Sequence, residues 1–218
     1  MLITGIIGQD KKMKTANLIN SILSLTGKRI SIIDSKEIME FNSNLLKNYI
    51  LELKKHKIDI LIIKIDILDF ENDIFINLKF DIIIYDYRSD YSIISVRDKC
   101  IKLIQKSIAF LDKNGIIIID VEDNELLYLL NDDVKQHIIT YGFNSKASMT
   151  TSSIGDTLLM KDFMCYLQKT ILTKNGKKIE PQEYLIRIES NEVNPYNILA
   201  AATFAIINGV DLNMVNNI

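Results

Sequence analysis

The sequence predicts an α/β fold of the phosphate-loop type: a mainly parallel sheet flanked by helices, with a small antiparallel β lobe over about residues 145–190. Three observations carry this. Short apolar runs alternate with helical patterns over the first two thirds of the 218 residues. The runs are Ile-rich at successive positions, as strands buried on both faces require. After Gly142 they give way to alternating patterns, the mark of antiparallel strands.

The elements come in a regular order. Leu2–Ile7 is an apolar opening strand, and Met13–Leu25 is an amphipathic helix after it. Arg29–Asp34, Asp59–Lys64, Asp81–Tyr85, Gly115–Asp120 and His137–Tyr141 read as further buried strands. Ser43–His56, Ile93–Leu111 and Asn124–Leu130 read as the helices between them. Strand–helix alternation of this kind implies right-handed crossovers and a parallel sheet covered on both faces. Ser145–Ile154 is Ser/Thr-rich and alternating. Phe163–Leu172 and Tyr184–Ile188 then read as strands, with a turn at Asn175-Gly176. A last helix has Asn194 to cap it, Pro195 for its first turn and Asn208-Gly209 to end it. Asp211 suits the cap of a further short helix.

Composition narrows the function classes. With 48% hydrophobic and 25% charged residues the chain can build a full core, and its length suits one domain spanning residues 1–218. Its 26 basic and 28 acidic residues give a net charge of −2, which argues against nucleic acid as a partner. No apolar run reaches the length of a bilayer span. Cys100 and Cys165 lie far apart without a metal or redox motif and read as reduced core thiols, which suits a cytoplasmic protein.

In sheets of this kind ligands bind at the carboxyl ends of the strands. Gly5–Lys14, Lys64–Asp69, Asp86–Tyr91 and Asp120–Asp123 fall there. The first of these, Gly5-Ile6-Ile7-Gly8-Gln9-Asp10-Lys11-Lys12-Met13-Lys14-Thr15, sits between strand and helix, where a phosphate loop belongs. Such a loop needs Gly before its Lys, so that backbone N–H groups can wrap phosphate. It also needs Ser or Thr after the Lys to hold Mg²⁺. Here Lys11 takes the Gly position, where a positive φ would cost roughly 1 kcal/mol. Met13 takes the hydroxyl position, and a thioether does not suit a hard cation.

These residues resemble the central ATP-binding domain of the Mur ligases and the related folylpolyglutamate synthases. That domain opens G-[IV]-T-G-T-N-G-K-T-T-T, against which Gly5 to Thr15 align without a gap. Gly115-Ile116-Ile117-Ile118-Ile119-Asp120-Val121-Glu122-Asp123 is similar to its strand ending in Asn-x-Asp-Asp. Val193-Asn194-Pro195-Tyr196-Asn197-Ile198-Leu199-Ala200-Ala201 is similar to its H-N-x-x-N-x-L-A-A, and Gly209-Val210-Asp211-Leu212 to the family's G-[IV]-[DP]-[LP] at the end of that helix. The resemblance covers nearly the whole chain but only the family's central domain; the N-terminal and C-terminal ligase domains have no counterpart.

The resemblance implies roles. Gly5, Gly8, Lys11 and Lys12 would meet the phosphates of ATP or ADP. Lys12 serves equally well as a solvated residue at a helix start. Asn194 and Asn197 would lie near the adenine. Lys64 falls where the family places a Glu that binds Mg²⁺, with Asp66 as a substitute two residues on. Asp90 and Tyr91 fall at the next metal motif, leaving Tyr at a His position; His56 and His137 lie elsewhere. The family's carbamylated lysine would be one of Lys99, Lys102 and Lys106, with Lys106 favoured by spacing as the catalytic candidate. Asp123 is the best match to the strand-end acid, though a cap for the Asn124–Leu130 helix is the favoured reading of it.

The expected function is therefore a stand-alone, degenerate Mur-ligase-like domain. It would bind nucleotide weakly, or a partner, without Mg²⁺ and without ligase turnover of its own. The alternative is an ATP-dependent amide-forming ligase subunit completed by a partner supplying the missing domains. A third reading, a dinucleotide-binding domain, rests on Gly5-x-x-Gly8 and Asp34 at the end of the second strand, a short and unspecific pattern.

Overall fold

A computed structural model describes residues 1–8, 12–86, 94–123, 127, 137–156, 161–189, 193–215 and 218, with side chains at all of these except 12, 13, 94–100, 156 and 161. The Asn124–Leu130 helix expected from sequence falls almost wholly outside them, as do Asp90 and Tyr91. The order is β1 (Leu2–Gly8), α1 (Lys12–Ser24), β2 (Ile30–Asp34), α2 (Ser35–Met39), α3 (Ser43–Lys55), β3 (Ile60–Ile65), two 3-10 turns, β4 (Phe80–Asp86), α4 (Ile94–Ala109), β5 (Leu111–Asp120), β6 (His137–Tyr141), β7 (Met149–Asp156), β8 (Lys161–Leu167), β9 (Ile171–Leu172), β10 (Lys178–Ile179), β11 (Gln182–Ile188) and α5 (Pro195–Ile207). A 3-10 turn at Leu212–Met214 comes last, capped by Asp211 as expected.

Among the described residues nine strands form one sheet in the order β11-β8-β7-β6-β5-β4-β1-β3-β2, and β9 and β10 form a separate small antiparallel pair. β1, β2, β3 and β4 run parallel. β7, β8 and β11 are antiparallel neighbours. The antiparallel segment thus lies where the sequence placed it, but most of it continues the large sheet. Strand partners far apart in sequence are not written in periodicity.

The chain divides into two compact units. The first comprises Met1–Lys12, Lys28–Ile117 and Asn124–His137; the second comprises Met13–Gly27, Ile118–Asp123 and Ile138–Ile218. In the first unit β3 is buried along its whole length, and Ile82, Ile83 and Ile84 of β4 are fully buried, as apolar runs between two covered faces dictate. Below them Phe70 packs against Phe75, Phe80 and Phe110 with ring centroids 5.2, 6.4 and 5.8 Å away. The Tyr85 hydroxyl meets Ser107 Oγ at 2.6 Å, and Ser107 donates in turn to the Ile104 carbonyl. Tyr85 is therefore the donor in its pair, which fastens β4 to α4. Burial pushes its hydroxyl pKa well up, with Ser107 partly opposing.

Helix ends obey local chemistry. Asn42 caps α3 by accepting from the Leu45 N–H at 2.8 Å. At the other end Lys57 N–H donates to Lys54 O and Ile58 N–H to Leu53 O. This is the two-bond Schellman termination, and Lys57 takes a left-handed φ of 54° to make it. In the second unit α5 is buried from Asn197 to Ile207, as an apolar helix without a wet face must be. Asn194 caps it, Pro195 occupies its first turn, and Gly209 terminates it at φ 77°. Cys165 is buried, which pushes its thiol up to about 12.

Thr4 is fully buried in β1, and among the described residues its Oγ1 finds no hydrogen-bond partner. An unpaired buried hydroxyl costs about 1–3 kcal/mol, and Val has nearly the same shape. Thr4→Val should therefore raise the denaturation midpoint without changing the slope of the unfolding curve. A lowered midpoint would show the hydroxyl to be partnered.

Candidate functional site

The phosphate-loop candidates begin on β1. Gly5 lies inside the strand, where a Cβ would come within 3.2 Å of Ile65 Cδ1 and of the Phe80 ring. Its missing side chain is explained by the aromatic cluster beneath it. Gly8 ends the strand opposite Asp86, and a Cβ there would stand 2.6 Å from the Asp86 carbonyl oxygen. Gly8 is thus required by the close approach of β4, whatever else it serves. Lys11 lies outside the described residues; Lys12 begins α1, with its side chain and that of Met13 outside them. The strand and the helix expected on either side of residues 9–11 are present.

The strand ends beside β1 carry a pair that the sequence presents only as separate residues. Asp34 ends β2, and Lys64 lies one residue short of the end of β3 in register with it. Lys64 Nζ stands 3.4 Å from Asp34 Oδ2, and Lys64 is only 8% exposed. Asp34 also caps α2: its side chain accepts from the Lys36 N–H, while Glu37 reaches back to the Asp34 N–H. This capping box accounts for Asp34 without a ribose. Asp66, the substitute metal-ligand candidate, caps the first 3-10 turn by accepting from Leu68 N–H at 3.1 Å. Asp69 accepts from the buried Ser35 hydroxyl. Asp86, buried, closes β4. Among the described residues no group of three His, Cys, Asp or Glu is placed to hold a metal ion. Lys106 is half-buried in the last turn of α4, one residue before Ser107. His56 caps the end of α3 and is exposed; His137 begins β6 and is exposed.

In the second unit the first turns of two helices are tied together. Asn197 Nδ2 donates to Thr15 Oγ1 at 2.7 Å, and both residues are buried, Asn197 to 1% exposure. The bond places the Asn197 Nδ2 against α1 in the interior of this unit. Asn194, half-buried, spends its Oδ1 on the Tyr196 N–H. Beside it lies a cluster missed in sequence. Glu122 accepts from the Phe143 N–H at 3.0 Å and from the Tyr196 hydroxyl at 2.5 Å. The two rings meet edge to face with centroids 4.7 Å apart. Asp120 accepts from Glu122 N–H at 3.0 Å and sets that turn. Asp123 donates its N–H to Asp120 O. Tyr196 is 74 residues from Glu122, so no local pattern announces the pair.

No family model matches the chain, and no curated protein matches it. Solved structures do. The chain is similar to UDP-N-acetylmuramoyl-L-alanyl-D-glutamate–2,6-diaminopimelate ligase over 98% of its own length and 45% of that chain, at 15% identity and a TM-score of 0.75. It is similar to a MurF ligase from Thermotoga maritima, solved in complex with ADP, over 98% of its length and 47% of that chain, at 13% identity and a TM-score of 0.65. A mutant L. casei FPGS matches 98% of the chain over 60% of its own, at 10% identity and a TM-score of 0.59. The fold is that of the Mur-type ligases, and the chain spans less than half the length of the first two.

The Asn197–Thr15 bond generates a test. Asn197→Ala should lower stability by about 1–3 kcal/mol. With Thr15→Val it should show a coupling of about 0.5 kcal/mol or more in a double-mutant cycle. Additive effects would mean that the two side chains do not hold the helices together.

Proposed function

We propose that this chain is a ligase-fold domain that binds the phosphates of ATP or ADP weakly, or docks a partner, and carries out no ligase turnover of its own. The observation that carries the reading is β1 ending at Gly8 and α1 beginning at Lys12, inside a fold shared with a ligase structure solved in complex with ADP. Gly8, Lys11 and Lys12 would meet the phosphate chain, with Gly5 supporting the strand behind them. Asn194 would stand at the base end, with Asn197 as a positioning residue.

The residues present do not suit Mg²⁺. Lys64 places an ammonium among the strand ends where the metal would need an oxygen ligand, and Asp34 is already shared between that ammonium and a helix cap. Met13 offers sulfur where a hydroxyl is wanted. Lys106 is left without a metal to work beside. A second reading is favoured by the chain's 45% share of the ligase: a ligase subunit whose remaining domains a protein partner supplies.

Isothermal titration of the whole chain with ADP and ATP separates the two. The first reading expects a Kd on the order of 0.1–1 mM, rising with salt and weakened by Lys12→Ala. Tight binding that requires Mg²⁺, or ATP turnover abolished by Lys12→Ala, would establish the second. No binding at millimolar nucleotide would leave partner docking alone.

A further inference from the structure

The buried cation at the strand ends has a role that burial alone does not explain. Lys64 is registered with Asp34 on one side and Ile6 on the other. Residues in register on parallel strands leave the same face of the sheet, and alternation along β1 brings that face next to Gly8. Gly8 in turn is registered with Asp86. From β2 to β4, one face at the carboxyl edge therefore presents Asp34, Lys64, the bare backbone of Gly8, and Asp86. Gly8 lies two residues beyond Lys64, roughly 7 Å along the strand direction. With the spacing between strands the separation is roughly 8 Å, which an extended lysine stem spans together with a hydrogen bond of about 2.8 Å beyond its ammonium.

An ammonium this deeply placed is unfavourable unless a negative group answers it. Asp34 does so at 3.4 Å, longer than the 2.7–2.9 Å typical of a tight charge-assisted bond. Asp34 also keeps an independent task. Its cap of α2 holds whether or not Lys64 stays beside it, so departure of the ammonium would not orphan the carboxylate. Lysine is a compact point charge on a flexible stem, suited to moving between two anionic partners. A ligand anion bound at the carboxyl edge, where ligands of such sheets bind, would lie beside Gly8.

We propose that Lys64 is the resident cation of the carboxyl end of β1. Its ammonium moves from Asp34 to the phosphate chain of a nucleoside diphosphate or triphosphate, supplying the countercharge that a divalent metal supplies elsewhere. The inference rests on the nucleotide reading and sharpens it. A metal already on the phosphates occupies the oxygens that Lys64 needs and repels the ammonium. The chain should therefore prefer metal-free nucleotide, and Mg²⁺ should weaken binding rather than support it.

The test is titration of the full chain with ADP, pyrophosphate and adenosine, each in EDTA and again in excess Mg²⁺. Wild type should bind metal-free ADP more tightly than Mg²⁺–ADP. Lys64→Met should weaken metal-free binding roughly tenfold or more, as loss of a charge-assisted bond does, and remove the preference. Lys64→Arg should retain it, and Lys64→Glu should invert it. Lys64→Met/Asp34→Asn removes both charges and guards against misfolding from an uncompensated carboxylate; circular dichroism and melting confirm each fold. Pyrophosphate binding with the same dependence on Lys64 supports the phosphate chain as the ligand. Adenosine binding with that dependence overturns it. Unchanged ADP affinity in a folded Lys64→Met, or tighter binding with Mg²⁺ in wild type, overturns the role of Lys64 while leaving nucleotide binding intact. Absence of ADP binding at millimolar concentration overturns both.

Discussion

The registration of β1 between β3 and β4 is the constraint on which the candidate site depends. β1 pairs with β3 from Leu2 to Ile7 and with β4 from Thr4 to Gly8. Ile6 and Ile7 are buried, as are the β3 and β4 residues beside them. A slip of one residue would turn each side chain to the opposite face and is resisted wherever a face is buried. That register brings Gly8 against the Asp86 carbonyl, where no Cβ fits. It also sets Lys64 beside Ile6, two residues short of Gly8. The chemistry at the edge is thus specified by packing beneath it: the glycine that looks like loop chemistry is demanded by strand approach, and the lysine that looks like a lost metal ligand is held in a fixed place.

The second unit shows the same economy of polar groups. Thr15, three residues into α1, accepts from Asn197 near the start of α5. The hydrogen bond is buried and joins residues 182 apart, so it specifies how these two helices pack rather than merely adding stability. Glu122 works similarly on the turn after β5. By accepting from a backbone N–H and from a hydroxyl, it fixes Phe143 and Tyr196 relative to one another. Phe143 remains 41% exposed, presented beside the capped start of α5.

Much of the fold was legible because its strands are nearly pure Ile runs. Those of β3, β4 and β5 exceed what alternation or a helical face would tolerate, and all three are strands. Caps were legible because their chemistry is local: Asn194, Asp211 and Gly209 act within three residues of themselves. α2 was not legible, because a five-residue helix has too few turns for a period; only Asp34 and Glu37 mark it. The continuation of the sheet through β7, β8 and β11 was not legible either. The site was less legible than the fold. Asp34 and Lys64 are 30 residues apart, and only the common register of β2 and β3 makes them a pair. The bond from Asn197 to Thr15 was not legible, because the two residues are 182 positions apart.

The β1–β3 register sets the Lys64 ammonium near the carboxyl end of β1, and its proposed transfer to a phosphate chain is open to direct test. The most direct measurement is a crystal structure of the chain grown with ADP and Mn²⁺, with manganese located by its anomalous scattering. Phosphate density is expected at the Gly8 end of β1, with Lys64 Nζ in hydrogen-bond distance of it and no manganese held by a residue of this chain. A manganese ion bridging the phosphates to a side chain at these strand ends, with Lys64 still on Asp34, would contradict it.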